Sequence, residues 1–140
     1  MKKTILTLIA IITLMSTVAV LPTYAALPDT GGTVEPMWDN TATLHIAIDF
    51  PGNGYGYAET TVIGKVGVTK ITVDISVYRQ VGSSWVLVTE DSFTINFLNG
   101  IASCPFPAVT GAYYKAEYEI TVTRDGIDEI ITKTKYATCS

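Results

Sequence analysis

The chain has 140 residues, 48% of them hydrophobic and 16% charged, with nine Lys plus Arg against thirteen Asp plus Glu. That length holds one domain. The acid excess, with no cluster of Lys and Arg, excludes surfaces built for nucleic-acid phosphates or for anionic membranes.

Residues 1–25 read as a cleaved signal peptide. Lys2 and Lys3 form the positive start, Ile5 to Leu21 is an apolar run broken only by Thr and Ser, and Pro22 ends it. Thr23-Tyr24-Ala25 then places small residues at the two positions a signal peptidase reads, so cleavage is expected after Ala25, with Ala26 as the neighbouring choice. A retained membrane anchor is the rival, because the run approaches spanning length. Beyond Ala25 the chain keeps seven basic and all thirteen acidic residues, a balance that favours solubility and selects no particular partner. The expected location is secreted, with cell-surface association left open.

Residues 26–37 carry Pro and Gly and no apolar period, which predicts a flexible linker. Within it, Leu27-Pro28-Asp29-Thr30-Gly31 has the letters of a sortase signal. Cleavage there would cut the domain away from its anchor, so the match is read as coincidence.

From Trp38 to Ser140 the apolar period is two almost everywhere and no stretch shows a helical stripe, predicting a single all-β domain. The first strand sets Ala42, Leu44, Ile46, Ile48 and Phe50 against Thr41, Thr43, His45, Ala47 and Asp49, and Pro51-Gly52-Asn53-Gly54 ends it. Tyr57 to Lys65 resumes a β-rich run. Ile71, Val73, Ile75 and Val77 alternate in the next, and Gln80-Val81-Gly82-Ser83 turns into Trp85–Thr89. Asn99-Gly100 between Phe93–Leu98 and Ile101–Cys104 predicts a type I′ hairpin, after which Pro105 and Pro107 are expected to stop pairing. Tyr114, Ala116, Tyr118, Ile120 and Val122 line one face of a further strand, and Arg124-Asp125-Gly126 turns into the last, Ile127 to Ala137. About seven short antiparallel strands predict an immunoglobulin-like β-sandwich, with a small barrel as the alternative. Tyr114, placed after Pro107 and Gly111, is a candidate tyrosine corner. Cys104 and Cys139, the two cysteines of an exported domain, are expected to form one disulfide pinning the C-terminal tail, with two unpaired thiols as the alternative.

Trp38-Asp39-Asn40-Thr41, Ile63-Gly64-Lys65, Gly67 with Thr69-Lys70-Ile71-Thr72, and the approach from Gly82 to Trp85 resemble a family of small exported proteins of Gram-positive bacteria whose function is uncharacterised. The resemblance spans most of residues 38–138. It implies a β-sandwich and an extracellular location, and it brings no catalytic residues.

Candidate chemistry is sparse. His45, the single histidine, lies on the outward face of the first strand with no Ser or Cys nearby in sequence, which leaves a nucleophile without its base. Glu117 and Glu119 alternate as a solvated strand face does, and Asp125, Asp128 and Glu129 match no calcium loop. The sequence therefore predicts no enzyme, no cofactor and no metal. Trp38, Tyr55, Tyr57 and Tyr113 lie in loops or at strand ends and are the candidate ligand-binding residues, while Trp85 and Tyr118 are assigned to the core. The function expected is a non-catalytic extracellular binding module for a glycan or protein. The alternative is a structural or self-associating surface protein.

Overall fold

The computed structural model describes residues 37–140. The signal peptide and nearly all of the linker, including its sortase-like letters, lie outside the described residues.

Seven antiparallel strands form the domain: β1 (Thr41–Asp49), β2 (Tyr55–Gly64), β3 (Val68–Val81), β4 (Ser84–Ile95), β5 (Asn99–Pro107), β6 (Tyr113–Arg124) and β7 (Ile127–Thr138). They divide into a three-stranded sheet ordered β1-β2-β5 and a four-stranded sheet ordered β4-β3-β6-β7. This is the expected immunoglobulin-like sandwich, closed around one core.

The core follows from strand parity. β3 and β6 are the central strands of the larger sheet, so one face of each is fully covered: Ile71, Val73, Ile75 and Val77 on β3, and Tyr114, Ala116, Tyr118, Ile120 and Val122 on β6 are buried. Ala58 and Val62 of β2 and Ala102, Cys104 and Phe106 of β5 close the core from the smaller sheet. Phe106 lies across the strand pair on Gly56, where a Cβ would come within 2.3 Å of the ring, so this glycine makes room for the aromatic. Two tyrosine hydroxyls fasten β6, one to the facing sheet and one to the loop before it. Tyr118 donates to the Ala47 carbonyl at 2.7 Å, and Tyr114 accepts from the Val109 N–H at 2.8 Å, which is the expected tyrosine corner.

Three sequence expectations are corrected. The first concerns Asn99-Gly100, which is no hairpin turn. A type I′ turn needs positive φ at both central residues, and neither has it; the pair opens β5, whose partner is β2. Gly100 is small because a Cβ there would meet the Ile95 side chain at 2.5 Å. The type I′ turn occurs instead at Asp125-Gly126, with φ of 52° and 77°, between the paired Arg124 and Ile127.

The second concerns Pro105 and Pro107, which do not stop pairing. They sit opposite Tyr57 and Tyr55 on an edge strand, where a missing N–H can face solvent.

The third is the disulfide: Cys104 and Cys139 are both buried and both free. Phe106 and Tyr114 pack ring to ring at 5.1 Å and mark one level of the sandwich. Cys104 lies two residues along β5 to one side of that level. Cys139 lies two residues beyond Ala137, the partner of Tyr114, on the other. The axial offset is about 13 Å at roughly 3.3 Å per residue, too far for a bridge.

Candidate functional site: an aromatic face on the four-stranded sheet

The outer face of the larger sheet carries the side chains that the core parity of β3 and β6 leaves to solvent. Hydrogen-bond register aligns them in rows. One row runs Leu87, Tyr78, Lys115, Tyr136 across β4, β3, β6 and β7. The next runs Glu90, Ser76, Glu117, Thr134, and the one after it Ser92, Asp74, Glu119, Thr132.

At the first row and just beyond it, the aromatics converge. Trp85 stands 5.8 Å from Tyr113 and 5.9 Å from Tyr136 between ring centroids, and Tyr113 stacks on Tyr136 at 6.0 Å with 18° between planes. These rings come from three strands. A bulge at Val77/Tyr78 places Val88 as the extra residue of β4 and adds twist, and Trp85 past it reaches over β3 towards β6 and β7. Tyr113 is 39% exposed and Tyr136 49%, large for residues that also pack on one another. The result is a platform of three ring systems.

Lys115 sits at the centre of the platform. Its ammonium lies 4.5 Å from the centroid of Tyr78 and 5.2 Å from that of Trp85, and it donates to Glu117 Oε1 at 2.6 Å. The Glu117 hydrogen bond holds the Lys115 ammonium protonated above its ordinary range. Beyond it the rows become a lane of acceptors and hydroxyls. Asp74 and Glu119 stand directly opposite each other on β3 and β6, a like-charge pair that costs stability. Asp74, Ser76, Glu117, Glu119, Thr132 and Thr134 line a shallow depression of about 340 Å³ there.

The other end of the sandwich is built for closure. The Glu129 carboxylate accepts from the Thr41 hydroxyl at 2.7 Å, from the Asn40 N–H at 3.2 Å and from the Asp39 N–H. Asn40 donates through Nδ2 to the carbonyls of Val122 at 2.9 Å and Ile127 at 3.1 Å, and Lys65 donates to the Trp38 carbonyl. Trp38 packs half-buried against the core, with the Lys133 ammonium 5.7 Å from its ring. This clamp fastens the entering chain to β2, β6 and β7.

The four candidate residues are therefore not gathered into one site. Tyr113 belongs to the platform. Trp38 belongs to the clamp at the opposite end. Tyr55, 52% exposed, and Tyr57 lie on the outer face of the smaller sheet, beside Pro107 and Pro105. Tyr118 is in the core as expected, but Trp85 is not: it is half-buried on the outer face, because Trp85–Val88 is an apolar run whose parity gives no face. Sequence reasoning also missed Tyr136 and Lys115, although counting outward from the Asp125-Gly126 turn pairs them. His45 is exposed on β1, and Asp128 and Glu129 point to opposite faces of β7, so the acidic cluster of the last hairpin does not converge.

No protein-family model matches the chain, and no curated protein matches it. Among solved structures, the chain is similar to a segment of a Parabacteroides merdae β-glucuronidase, with TM-score 0.41 and 16% identity over 72% of this chain and 13% of that one. It is also similar to a segment of a putative β-galactosidase from Bacteroides fragilis, with TM-score 0.40 and 11% identity over 65% of this chain and 15% of that one.

Proposed function

We propose that this chain is exported and that its domain is a non-catalytic binding module, taking an extracellular glycan on the outer face of the four-stranded sheet. The observation that carries the reading is the platform of Trp85, Tyr113 and Tyr136, three rings from three strands on the outer face of the sheet, with Tyr113 and Tyr136 exposed and Trp85 half-buried against them. Flat rings on such a face stack against the apolar faces of sugars. The neighbouring carboxylates and hydroxyls accept and donate the hydrogen bonds that sugar hydroxyls require. Export is supported by Lys2, Lys3, the apolar run and Thr23-Tyr24-Ala25.

The self-associating alternative fits the edges poorly. β5 carries Pro105 and Pro107, and β1 and β4 are each interrupted by a bulge. β7 turns Lys133 and Lys135 towards the inner face, opposite the buried Tyr118 and Ala116. Prolines, bulges and inward charges are the devices that keep an edge from pairing with another chain.

The test is retention of the chain lacking residues 1–25 on a panel of cell-wall and plant polysaccharides. Saturable retention on at least one polymer is expected, abolished by Trp85→Ala with Tyr136→Ala. Retention on none, or retention untouched by that double substitution, would overturn the assignment.

A further inference from the structure

The platform has a polar centre, and its chemistry narrows the ligand. Lys115 is sheltered, with 15% of its side chain exposed, whereas Glu117 is 45% exposed. One ammonium proton goes to Glu117, and the charge also faces the rings of Tyr78 and Trp85. A cation already met by a carboxylate and two ring faces has little left to attract an anion. Glu117, in contrast, presents an acceptor-only group to solvent beside the rings.

Resting on the reading of the domain as a glycan-binding module, we infer that the Lys115–Glu117 pair reads an uncharged sugar through neighbouring hydroxyls, and that polyuronic chains are excluded. Each sugar hydroxyl both donates and accepts. One oxygen accepts from Lys115 while the adjacent hydroxyl donates to Glu117, and a ring stacked on Trp85 or Tyr136 is held in register with both. Ser76 and Thr134 flank Glu117 in its row and extend the same pattern. An anionic sugar meets the opposite. Asp74, Glu90 and Glu119 occupy this row and the next, and among the described residues none of the three has an ion-pair partner. Each would repel a uronate carboxylate approaching along the face. The pair thus supplies specificity, and the aromatic rings supply most of the contact.

Affinity gel electrophoresis separates these terms. The wild-type chain lacking residues 1–25 is run through gels containing galactomannan, xyloglucan or hydroxyethylcellulose as uncharged chains, and polygalacturonate as the anionic one. At least one uncharged chain is expected to retard it, and polygalacturonate is not. Lys115→Met is expected to weaken retardation by about tenfold, the loss of one charged hydrogen bond. The variant Asp74→Asn with Glu90→Gln, Glu117→Gln and Glu119→Gln removes all four carboxylates of these rows and leaves Lys115 uncompensated, and it is expected to gain retardation by polygalacturonate that fades with added salt. Thermal melting of both variants checks that the fold is intact. Wild-type retardation by polygalacturonate, a Lys115→Met protein as tight as wild type, or a variant without the four carboxylates still blind to polygalacturonate would each overturn this inference while leaving the glycan-binding reading standing. Retardation by no chain would overturn both.

Discussion

Trp38 and Trp85 are both half-buried, yet what covers them differs. Trp38 lies in a stretch whose backbone is held from three sides, by Lys65 on its own carbonyl, by Glu129 on the next two N–H groups and by Asn40 reaching to β6 and β7. Its ring packs on the core. Trp85 is covered by Tyr113 and Tyr136, which are themselves open to water. One ring closes a sandwich end, and the other stands with two more on an outer face. The same burial class therefore hides different surroundings, and the neighbours tell them apart.

Substitutions can break that contrast. Glu129→Ala removes the acceptor of Thr41, Asn40 and Asp39 at once, and should cost about 3 kcal/mol in urea unfolding, given ~1.5–3 kcal/mol for a hydrogen bond to a charged group. Glycan retention should survive where the protein is folded. Tyr114→Phe tests the residue next to Tyr113, on the other side of the same strand. It leaves the Val109 N–H without its acceptor and should cost about 1–2 kcal/mol with retention unchanged. Trp85→Ala should abolish retention, and the two aromatic pairs it removes, at about 0.5–1.5 kcal/mol each, should cost about 1–3 kcal/mol of stability.

Two further measurements sharpen the account of the core. Burial pushes the Tyr118 hydroxyl and the Cys104 thiol above their ordinary values, with Asp91 adding to the effect at Cys104. The unfolded chain then loses these protons first as pH rises, near 8.5 for Cys and 10 for Tyr. Stability should accordingly be full below those values and fall through the alkaline range, a decline that Tyr118→Phe reduces. The smallest effect concerns the thiols: because Cys104 and Cys139 are free, a reducing agent should leave the melting temperature unchanged. A drop on reduction would show a bridge.

Much of the fold was legible because the central strands alternate cleanly. Ile71 to Val77 and Tyr114 to Val122 have one face buried throughout, so parity, strand number and sandwich class follow from spacing alone. Parity failed where both faces of a segment are apolar or where pairing changes sheets. Trp85–Val88 offers no alternation, and the bulge that follows shifts its register. Asn99-Gly100 has the letters of a hairpin turn, but the chain there crosses from the four-stranded sheet to the three-stranded one, and Gly100 answers to Ile95 rather than to backbone φ. The platform was legible in part. The Asp125-Gly126 turn fixes Tyr136 beside Lys115, whereas the approach of Trp85 across two strands depends on sheet twist, which no local pattern encodes.

The most direct test uses the two indoles. The chain contains two tryptophans, so its NMR spectrum has two indole N–H signals, one from Trp38 and one from Trp85. Titration with a soluble oligosaccharide of a retained polymer should move the Trp85 signal and the amides of Tyr113, Lys115 and Tyr136, and leave Trp38 in place. Movement of Trp38, or of Tyr55 and Tyr57 on the smaller sheet, with Trp85 unmoved would contradict the assignment of the ligand face.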